Sequence, residues 1–148
     1  MLRFENEVPS IPIWGVPFNT ISLSLDIGWN LISGISTAVA VDAIQDPNGI
    51  IIVNSFWGFN EIGYFSPEAI EPGYGYWVRA TGPGEITITS EGSSSGSTFV
   101  NRMEGAPCIN FTNSHNRNCK VYFGVAVPEN EQLSYTLPPL PPSSIFDV

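Results

Sequence analysis

A strict alternation of apolar and polar residues is the clearest periodic signal in the chain. Residues 21–25 read ISLSL, and this period of two predicts a strand with one face toward the core. A second apolar segment, residues 29–32, follows the turn residues 26–28, so we expect the two strands to form a hairpin. Residues 85–89 alternate in the same way, with isoleucines inward and threonines outward.

Residues 50–80 hold the densest cluster of apolar and aromatic side chains. The run 50–57 is apolar apart from Asn54 and Ser55, which predicts a central strand covered on both faces. Glycines and prolines then break the chain into a folded aromatic loop before a further strand at residues 76–80. The segment therefore indicates β-structure and sets the predicted fold class.

Helical character is confined to one stretch. Ser36 and Thr37 can cap a short helix over about residues 38–45, which the turn at 46–49 ends. More strands are predicted in the second half, at residues 98–102, 108–112, 120–127 and 132–137. The pattern as a whole predicts an all-β fold, an antiparallel β-sandwich with at most one short helix and extended N- and C-terminal segments.

The changes in pattern divide the chain into consecutive parts. A Ser/Gly tract stands between two β-rich halves and is either a linker or a loop within one sandwich. The parts are an apolar arm (1–18), a first β-half with the aromatic loop (19–89), the Gly/Ser loop or linker (90–97), a second β-half (98–137) and a proline-rich tail (138–148).

The N-terminal arm is broken by prolines and has no clean period. It is predicted to be an extended segment or a sheet edge, because proline cannot donate to a strand ladder. The arm either covers its own domain or is donated to a neighbouring subunit. The apolar side chains available for such a contact are Ile11, Ile13, Trp14, Val16 and Phe18.

The chain is acidic and poor in charge, with a net charge of −9 and only 13% charged residues. So few basic residues cannot form a patch that neutralises phosphates, which argues against nucleic acid and anionic membranes as partners. No apolar run reaches the length of about 20 residues that a membrane-spanning helix needs. Ser, Thr, Asn and Gly must supply the polar surface, a balance typical of extracellular β-modules. Export would require that a signal peptide has been removed or that the chain is a fragment, because its first residues are too polar to begin one.

Three groups of motifs carry a resemblance to a known type of module. They are GWNLIS at residues 28–33, the pair SFWGFN at 55–60 and EPGYGYWV at 71–78, and VYFG at 121–124 followed by LPPLPP at 137–142 and FDV at 146–148. Together they resemble the β-rich modules near the C-terminal end of large secreted or surface-displayed bacterial proteins, which often precede a type IX secretion sorting domain. The resemblance implies a β-sandwich outside the cell and carries over no catalytic residue. The end of the chain at Val148 and the cysteine pair depart from the pattern.

The two cysteines, Cys108 and Cys119, flank a polar cluster at residues 113–118. An acidic, lysine-poor composition favours an oxidising compartment and hence a disulfide between them. A tight hairpin that turns at His115 and Asn116 would instead leave the sulfurs four residues out of register. That is too far for a disulfide, which needs Cα atoms within about 7 Å of each other. The sequence leaves both alternatives open.

Candidates for catalysis are few. The only histidine, His115, lies near Cys119 in a polar turn, where a solvated surface histidine is a better interpretation than a catalytic pair. Carboxylates for glycoside hydrolysis could come from Glu61, Glu68 and Glu71, but their spacing also suits a solvated turn. We therefore expect no catalytic residue and no enzymatic activity.

A calcium site is the one cofactor that the sequence suggests as an alternative. Residues 46–49, DPNG, carry oxygen ligands of the kind that bind Ca²⁺, but they lack the remaining ligands of a calcium-binding loop. The main interpretation is a turn without any cofactor, and a structural Ca²⁺ is the alternative.

The aromatic residues of the central segment allow two interpretations. They can stack on sugar rings, because an aromatic face buries apolar area with little loss of entropy, or they can pack over one end of the sandwich. The residues concerned are Trp57, Phe59, Tyr64, Tyr74 and Trp77. We predict a non-catalytic extracellular structural or interaction module that binds itself or other surface proteins, in its extended form as a filament subunit joined through the terminal arms. The alternative is a carbohydrate-binding module that uses the aromatic loop on polysaccharide.

Overall fold

The computed structural model describes residues 14–61, 63–92, 99–114 and 118–139. Within these ranges the chain is built from antiparallel strand pairs and two short 3₁₀ helices, which confirms the all-β prediction. The strands are β1 (Thr20–Leu25), β2 (Gly28–Ser33), β3 (Val39–Ala40), β4 (Gly58–Phe59), β5 (Tyr64–Phe65), β6 (Ala69–Ile70), β7 (Gly75–Ala80), β8 (Gly84–Thr89), β9 (Cys108–Thr112) and β10 (Asn118–Tyr122). The 3₁₀ helices are Val41–Ala43 and Glu129–Tyr135.

A long two-stranded ribbon that bends at one corner forms the centre of the fold. In one arm of the ribbon β1 pairs with β8, and in the other β2 pairs with β7. The predicted hairpin between β1 and β2 is therefore wrong, although both strands exist. Asp26 and Ile27 turn the chain from one arm into the other, and the side chain of Asn30 bonds to both the N–H and the carbonyl of Asp26. The corner's polar groups are thus satisfied without pairing β1 to β2.

Both arms of the ribbon bury their inward faces in one hydrophobic core. Ile86 and Ile88 of β8 are fully buried, as is Val78 of β7. Hydroxyls occupy the outward face of the first arm, where Thr20 bonds to Thr89 across the pair at 3.0 Å. The alternation predicted for β1 and β8 is confirmed in the pattern of burial. The chain between the ribbon strands completes the core with Ile35, Val39, Ala43, Ile44, Ile50, Phe56 and Ile70.

Residues 50–57 do not form the continuous central strand that their apolar run predicts. They touch β7 at separate points, through the bridges Ile51 to Ala80 and Trp57 to Trp77. Between these points Asn54 has a left-handed backbone, with φ of 61°, and displaces the chain from the ladder. The Ser55 hydroxyl fills the gap, because it accepts from the Arg79 N–H at 3.2 Å.

The helix predicted over residues 38–45 is a single 3₁₀ turn, Val41–Ala43. Two causes can be identified. Ala40 is extended in β3 and pairs with Ala69 of β6. The Ser36 hydroxyl accepts a hydrogen bond from the N–H of Phe18 at 2.7 Å, so it is engaged with the N-terminal arm and does not cap a helix. Tertiary pairing has overridden a weak local helical preference.

The second half of the chain contains the hairpin β9–β10 and the 3₁₀ helix Glu129–Tyr135. Strands predicted at residues 98–102 and 132–137 do not form within the described residues, and the one predicted at 120–127 stops at Tyr122. The helix begins directly after Pro128, whose backbone is extended, with φ of −56° and ψ of 146°. Asn54 donates to the carbonyl of Ser134 at 3.2 Å, so this helix is joined to the first half.

Candidate functional site

The described part of the N-terminal arm stands away from its own body. Trp14 is 91% exposed and Val16 is 93% exposed. The arm is fixed at its base, where the Ser36 N–H donates to the Phe18 carbonyl at 2.9 Å. The structure therefore leaves Trp14, Val16 and Phe18 uncovered by this chain within the described residues. Ile11 and Ile13, the other two predicted contact residues, lie outside the described residues.

The outward face of the β2–β7 arm carries an aromatic row. Trp57 and Trp77 exchange two backbone hydrogen bonds of 2.9 and 2.8 Å, so their side chains project from the same face of the sheet. Leu31 lies opposite Trp77 on the other side and extends the row. Trp57 is half-buried, and its indole N–H has no partner within the described residues. The Trp57 ring is therefore packed against the protein and offers little open surface on which a sugar ring could stack.

Phe59 and Tyr64 form a separate pair on β4 and β5. Their ring centroids lie 5.2 Å apart in an edge-to-face arrangement. The Tyr64 hydroxyl donates to the carbonyl of Pro139 at 2.6 Å. Thr136, in the same segment, accepts from Arg79 at 2.6 Å. Residues 136–139 therefore run from Arg79 to Tyr64, and the chain's own C-terminal segment covers part of this aromatic region.

Tyr74 is the most exposed of the five predicted stacking residues, at 61%. It lies in the turn before β7 and lines a shallow cavity of about 380 Å³ together with Leu31. The remaining lining residues of that cavity are Ile32, Ser33, Gly34, Gly73 and Gly75. None of the other four predicted stacking residues lines it. The structure thus separates the predicted set into the tryptophan row, the Phe59–Tyr64 pair and Tyr74.

The hairpin β9–β10 carries an apolar surface that the sequence interpretation missed. In its register Ile109 lies opposite Val121 and Phe111 lies opposite Cys119, which places these four side chains on one face. The Phe123 N–H still donates to the Pro107 carbonyl at 3.1 Å, so Phe123 continues that face beyond β10. We call these five residues the hairpin apolar face. The alternation in residues 107–111 and 119–123 is the sequence signal that identifies it.

Both cysteines are free thiols on opposite faces of this hairpin. Cys108 lies opposite Tyr122 on the polar face, and Cys119 lies opposite Phe111 on the apolar face. The register differs by one residue from the one expected for a turn at His115 and Asn116. Because the two side chains lie on opposite faces, Cys108 and Cys119 are not joined by a disulfide in the structure.

The calcium alternative meets a structural obstacle at residues 46–49. The two carboxylate oxygens of Asp46 accept from the backbone N–H groups of Ile50 at 3.1 Å and Ile51 at 2.7 Å. This is the hydrogen bonding of a turn. No group of three or more metal-ligating side chains is assembled in the part of the chain that the structure describes.

The candidate catalytic groups are not assembled into a constellation by the described residues. Glu61, Glu68 and Glu71 are exposed to solvent. Cys119 is half-buried beside Phe111, and His115 lies outside the described residues. Among the described carboxylates, Glu131 has a shifted pKa, and it forms an exposed ion pair with Arg102. The hydrogen bond from Arg102 lowers the pKa of Glu131, partial desolvation opposes this, and the charge of Arg102 adds to the lowering.

An open apolar groove of about 530 Å³ is lined mainly by residues between Val41 and Phe56. It adjoins a second groove of about 500 Å³, and Phe99 lines both. Ile51, Ile52 and Val53 line both grooves. The second groove also borders the Arg102–Glu131 ion pair.

Comparison with known protein families, curated proteins and solved structures finds no match to this chain. Neither 3₁₀ helix of the described residues has the length and apolar character that a membrane-spanning helix requires.

Proposed function

We propose that this protein is a non-catalytic, extracellular structural module that associates with further copies of itself, and that its extended assembly is a surface filament. The observation that carries the proposal is the exposure of Trp14 and Val16 on the described part of the arm, which is hydrogen-bonded to the body at its base, Phe18. We also propose that the bent ribbon, whose two arms share one core, is a β-sandwich.

The exposed arm supports self-association for an energetic reason. Full burial of a large apolar side chain stabilises a complex by about 1.5–3 kcal/mol. Trp14, Val16 and Phe18 remain in water in the isolated chain, so a partner surface that covers them would recover this free energy. An arm that enters a different surface on the next copy makes a heterologous contact, and such contacts build open filaments where the rotation between copies does not close into a ring. The acidic, charge-poor composition and the module resemblance support an extracellular setting.

The test is removal of the arm. A chain that lacks residues 1–17 keeps the Phe18 backbone contact to Ser36, so its fold should be preserved. We expect the full chain to show high-mass species in light scattering and the shortened chain to be a monomer. The double substitution of Trp14 and Val16 to serine should act like the deletion. Leu31→Ser, which removes an exposed apolar side chain elsewhere, is the matched control and should leave assembly intact. An unchanged mass distribution after arm removal contradicts the proposal.

Carbohydrate binding is the second candidate, and the exposure of Tyr74 beside a shallow cavity favours it. Tyr74→Ala should then reduce retention on polysaccharide in affinity electrophoresis without a change in melting temperature. Tyr122→Ala, an exposed tyrosine on the hairpin, is the control. If both variants and the natural chain migrate alike on every polysaccharide tested, this candidate should be dropped.

A further inference from the structure

Among the described residues, the hairpin apolar face is exposed to solvent on a sheet of two strands. Ile109 is 53% exposed and Phe123 is 52% exposed, and Phe111 and Val121 are also exposed. Polar residues occupy the opposite face, where Asn110 lies opposite Lys120. An isolated two-stranded hairpin is only marginally stable in water, so a surface that covers its apolar face would stabilise it.

The hairpin also differs in charge from the remainder of the chain. Residues 106–124 contain Arg117 and Lys120 and no Asp or Glu, so this segment carries +2. The net charge of −9 therefore consists of +2 in the hairpin segment and −11 elsewhere. Lys120 lies on the polar face, so this charge belongs to the hairpin segment as a whole, and it favours the approach of an acidic segment of a second copy. Packing one hairpin on another would bring two positive segments together, which the same charges disfavour.

We propose that the hairpin apolar face is the surface that receives the N-terminal arm of a second copy of this chain. The inference rests on the proposed self-association and specifies where it occurs. In an extended segment every second side chain lies on one side, about 6.6–6.8 Å apart. Trp14, Val16 and Phe18 are two positions apart in the sequence of the arm, as are Ile109 and Phe111 in β9. An arm bound in an extended conformation would therefore present its apolar side chains at the same spacing as the hairpin.

The arm and the hairpin apolar face are different surfaces of the same molecule, so each copy can donate its arm to one neighbour and bind the arm of another. The contact is heterologous, and successive copies would extend in one direction where the rotation between them does not close a ring. The acidic residues Glu5 and Glu7, which precede the apolar part of the arm, are opposite in charge to Arg117 and Lys120 of the hairpin segment. Assembly should accordingly weaken at high salt.

The two natural cysteines provide an internal pair of probes, because Cys119 lies on the apolar face and Cys108 on the polar face. We would prepare Cys108→Ser, which retains the thiol of Cys119, and Cys119→Ser, which retains that of Cys108. Each protein is labelled with a maleimide below and above the concentration at which light scattering reports assembly. Since thiol reactivity follows exposure, assembly should slow labelling of Cys119 by about tenfold or more and leave the rate for Cys108 unchanged.

A cross-link tests the identity of the arm. Val16→Cys combined with Cys108→Ser places one thiol on the arm and one on the apolar face. Oxidation with diamide, which takes up two electrons and two protons as two thiols join, should give a ladder of covalent multimers. Val16→Cys combined with Cys119→Ser is the matched control, because its second thiol lies on the polar face. Each disulfide needs Cα atoms within about 7 Å, so the ladder should be confined to the first variant.

The outcomes separate this inference from the proposed function. Assembly with protection of Cys119 and a ladder specific to the first variant supports the inference. Assembly in which Cys119 reacts as fast as in the monomer, or in which the ladder is absent or equal in both variants, overturns the inference and leaves self-association standing. A protein that remains monomeric at every concentration overturns both.

Discussion

Arg79 lies directly opposite Trp29 across the antiparallel pair of β2 and β7, with its guanidinium carbon 5.6 Å from the centroid of the indole ring. The same guanidinium donates to the Thr136 hydroxyl at 2.6 Å. One side chain thus joins the aromatic face of the ribbon to the C-terminal segment. A stacked cation of this kind contributes about 0.5–1 kcal/mol, and a hydrogen bond from a charged group about 1.5–3 kcal/mol.

Thr136→Val should loosen the C-terminal segment, because it removes the hydroxyl that Arg79 binds and keeps the shape of the side chain. We expect faster amide hydrogen exchange in residues 128–139 and little change in the ribbon strands. Thr136→Ser, which retains the hydroxyl, should restore slow exchange. Equal exchange rates in all three proteins would mean that the Arg79 contact does not hold the segment.

Ser55→Ala should destabilise the protein although it removes a single oxygen atom. Ser55 is buried, and its hydroxyl is the partner of the Arg79 N–H on the side of β7 away from β2. Its loss leaves a buried donor unsatisfied, at a cost of about 1–3 kcal/mol in the free energy of unfolding. Urea denaturation measures this change, and Ser33→Ala on an exposed position is the control, with an expected change within about 0.5 kcal/mol. Equal values for both variants would rule out the structural part assigned to the Ser55 hydroxyl.

Gly58→Ala should disrupt the β4–β5 pair. The ring of Phe65 lies against Gly58, where an added methyl group would overlap it. Overpacking costs about 1–3 kcal/mol in a well-packed core, and because the overlap is with the far end of the exposed Phe65 ring, which can shift, we expect a loss toward the lower end of that range. Gly82→Ala is a matched control, because a methyl group there meets no atom within 4 Å. A thermal melt of both variants measures the difference, and similar melting temperatures would contradict the packing described for Phe65.

The Arg102–Glu131 ion pair predicts a small pH dependence of stability. The hydrogen bond from Arg102 lowers the pKa of Glu131 in the folded chain. Its stabilisation is therefore complete above the unfolded pKa of about 4.3 and is lost as pH falls through the lower folded pKa. Between about pH 7 and pH 3, Glu131→Gln should lose less melting temperature than the natural chain. Glu129→Gln, on the same helix but outside the pair, should behave like the natural chain, and no difference between the two variants would contradict this assignment.

The sequence predicted the strands of the ribbon but not their partners. Alternation in residues 20–25 and 84–89 determines which side chains face the core, because the side-chain period is local. The pairing of β1 with β8 joins residues 59 (Leu25 to Gly84) to 69 (Thr20 to Thr89) positions apart, and the corner that permits it depends on the side chain of Asn30. The apolar run at 50–57 was mistaken for a strand, since burial on both sides has the same pattern whether or not the backbone is paired.

The sequence predicted the exposed, proline-broken arm. It predicted neither the separation of the aromatic residues nor the exposure of the hairpin apolar face. Trp57, Phe59, Tyr64, Tyr74 and Trp77 were identified as one group, but the folding of the loop separates them. The hairpin apolar face has a clear alternation around Ile109 and Val121, yet the fold alone shows that no described element packs over it, since both side chains are exposed. A periodic pattern predicts a face; it does not show what covers that face.

The central claim is that copies of this chain join through the arm into an open assembly. Negative-stain electron microscopy of the purified full chain, beside the chain that lacks residues 1–17, tests it most directly. The account predicts filaments for the full chain and isolated particles for the shortened one. Isolated particles of a single 16.1 kDa chain in both samples, or filaments in both, would contradict it.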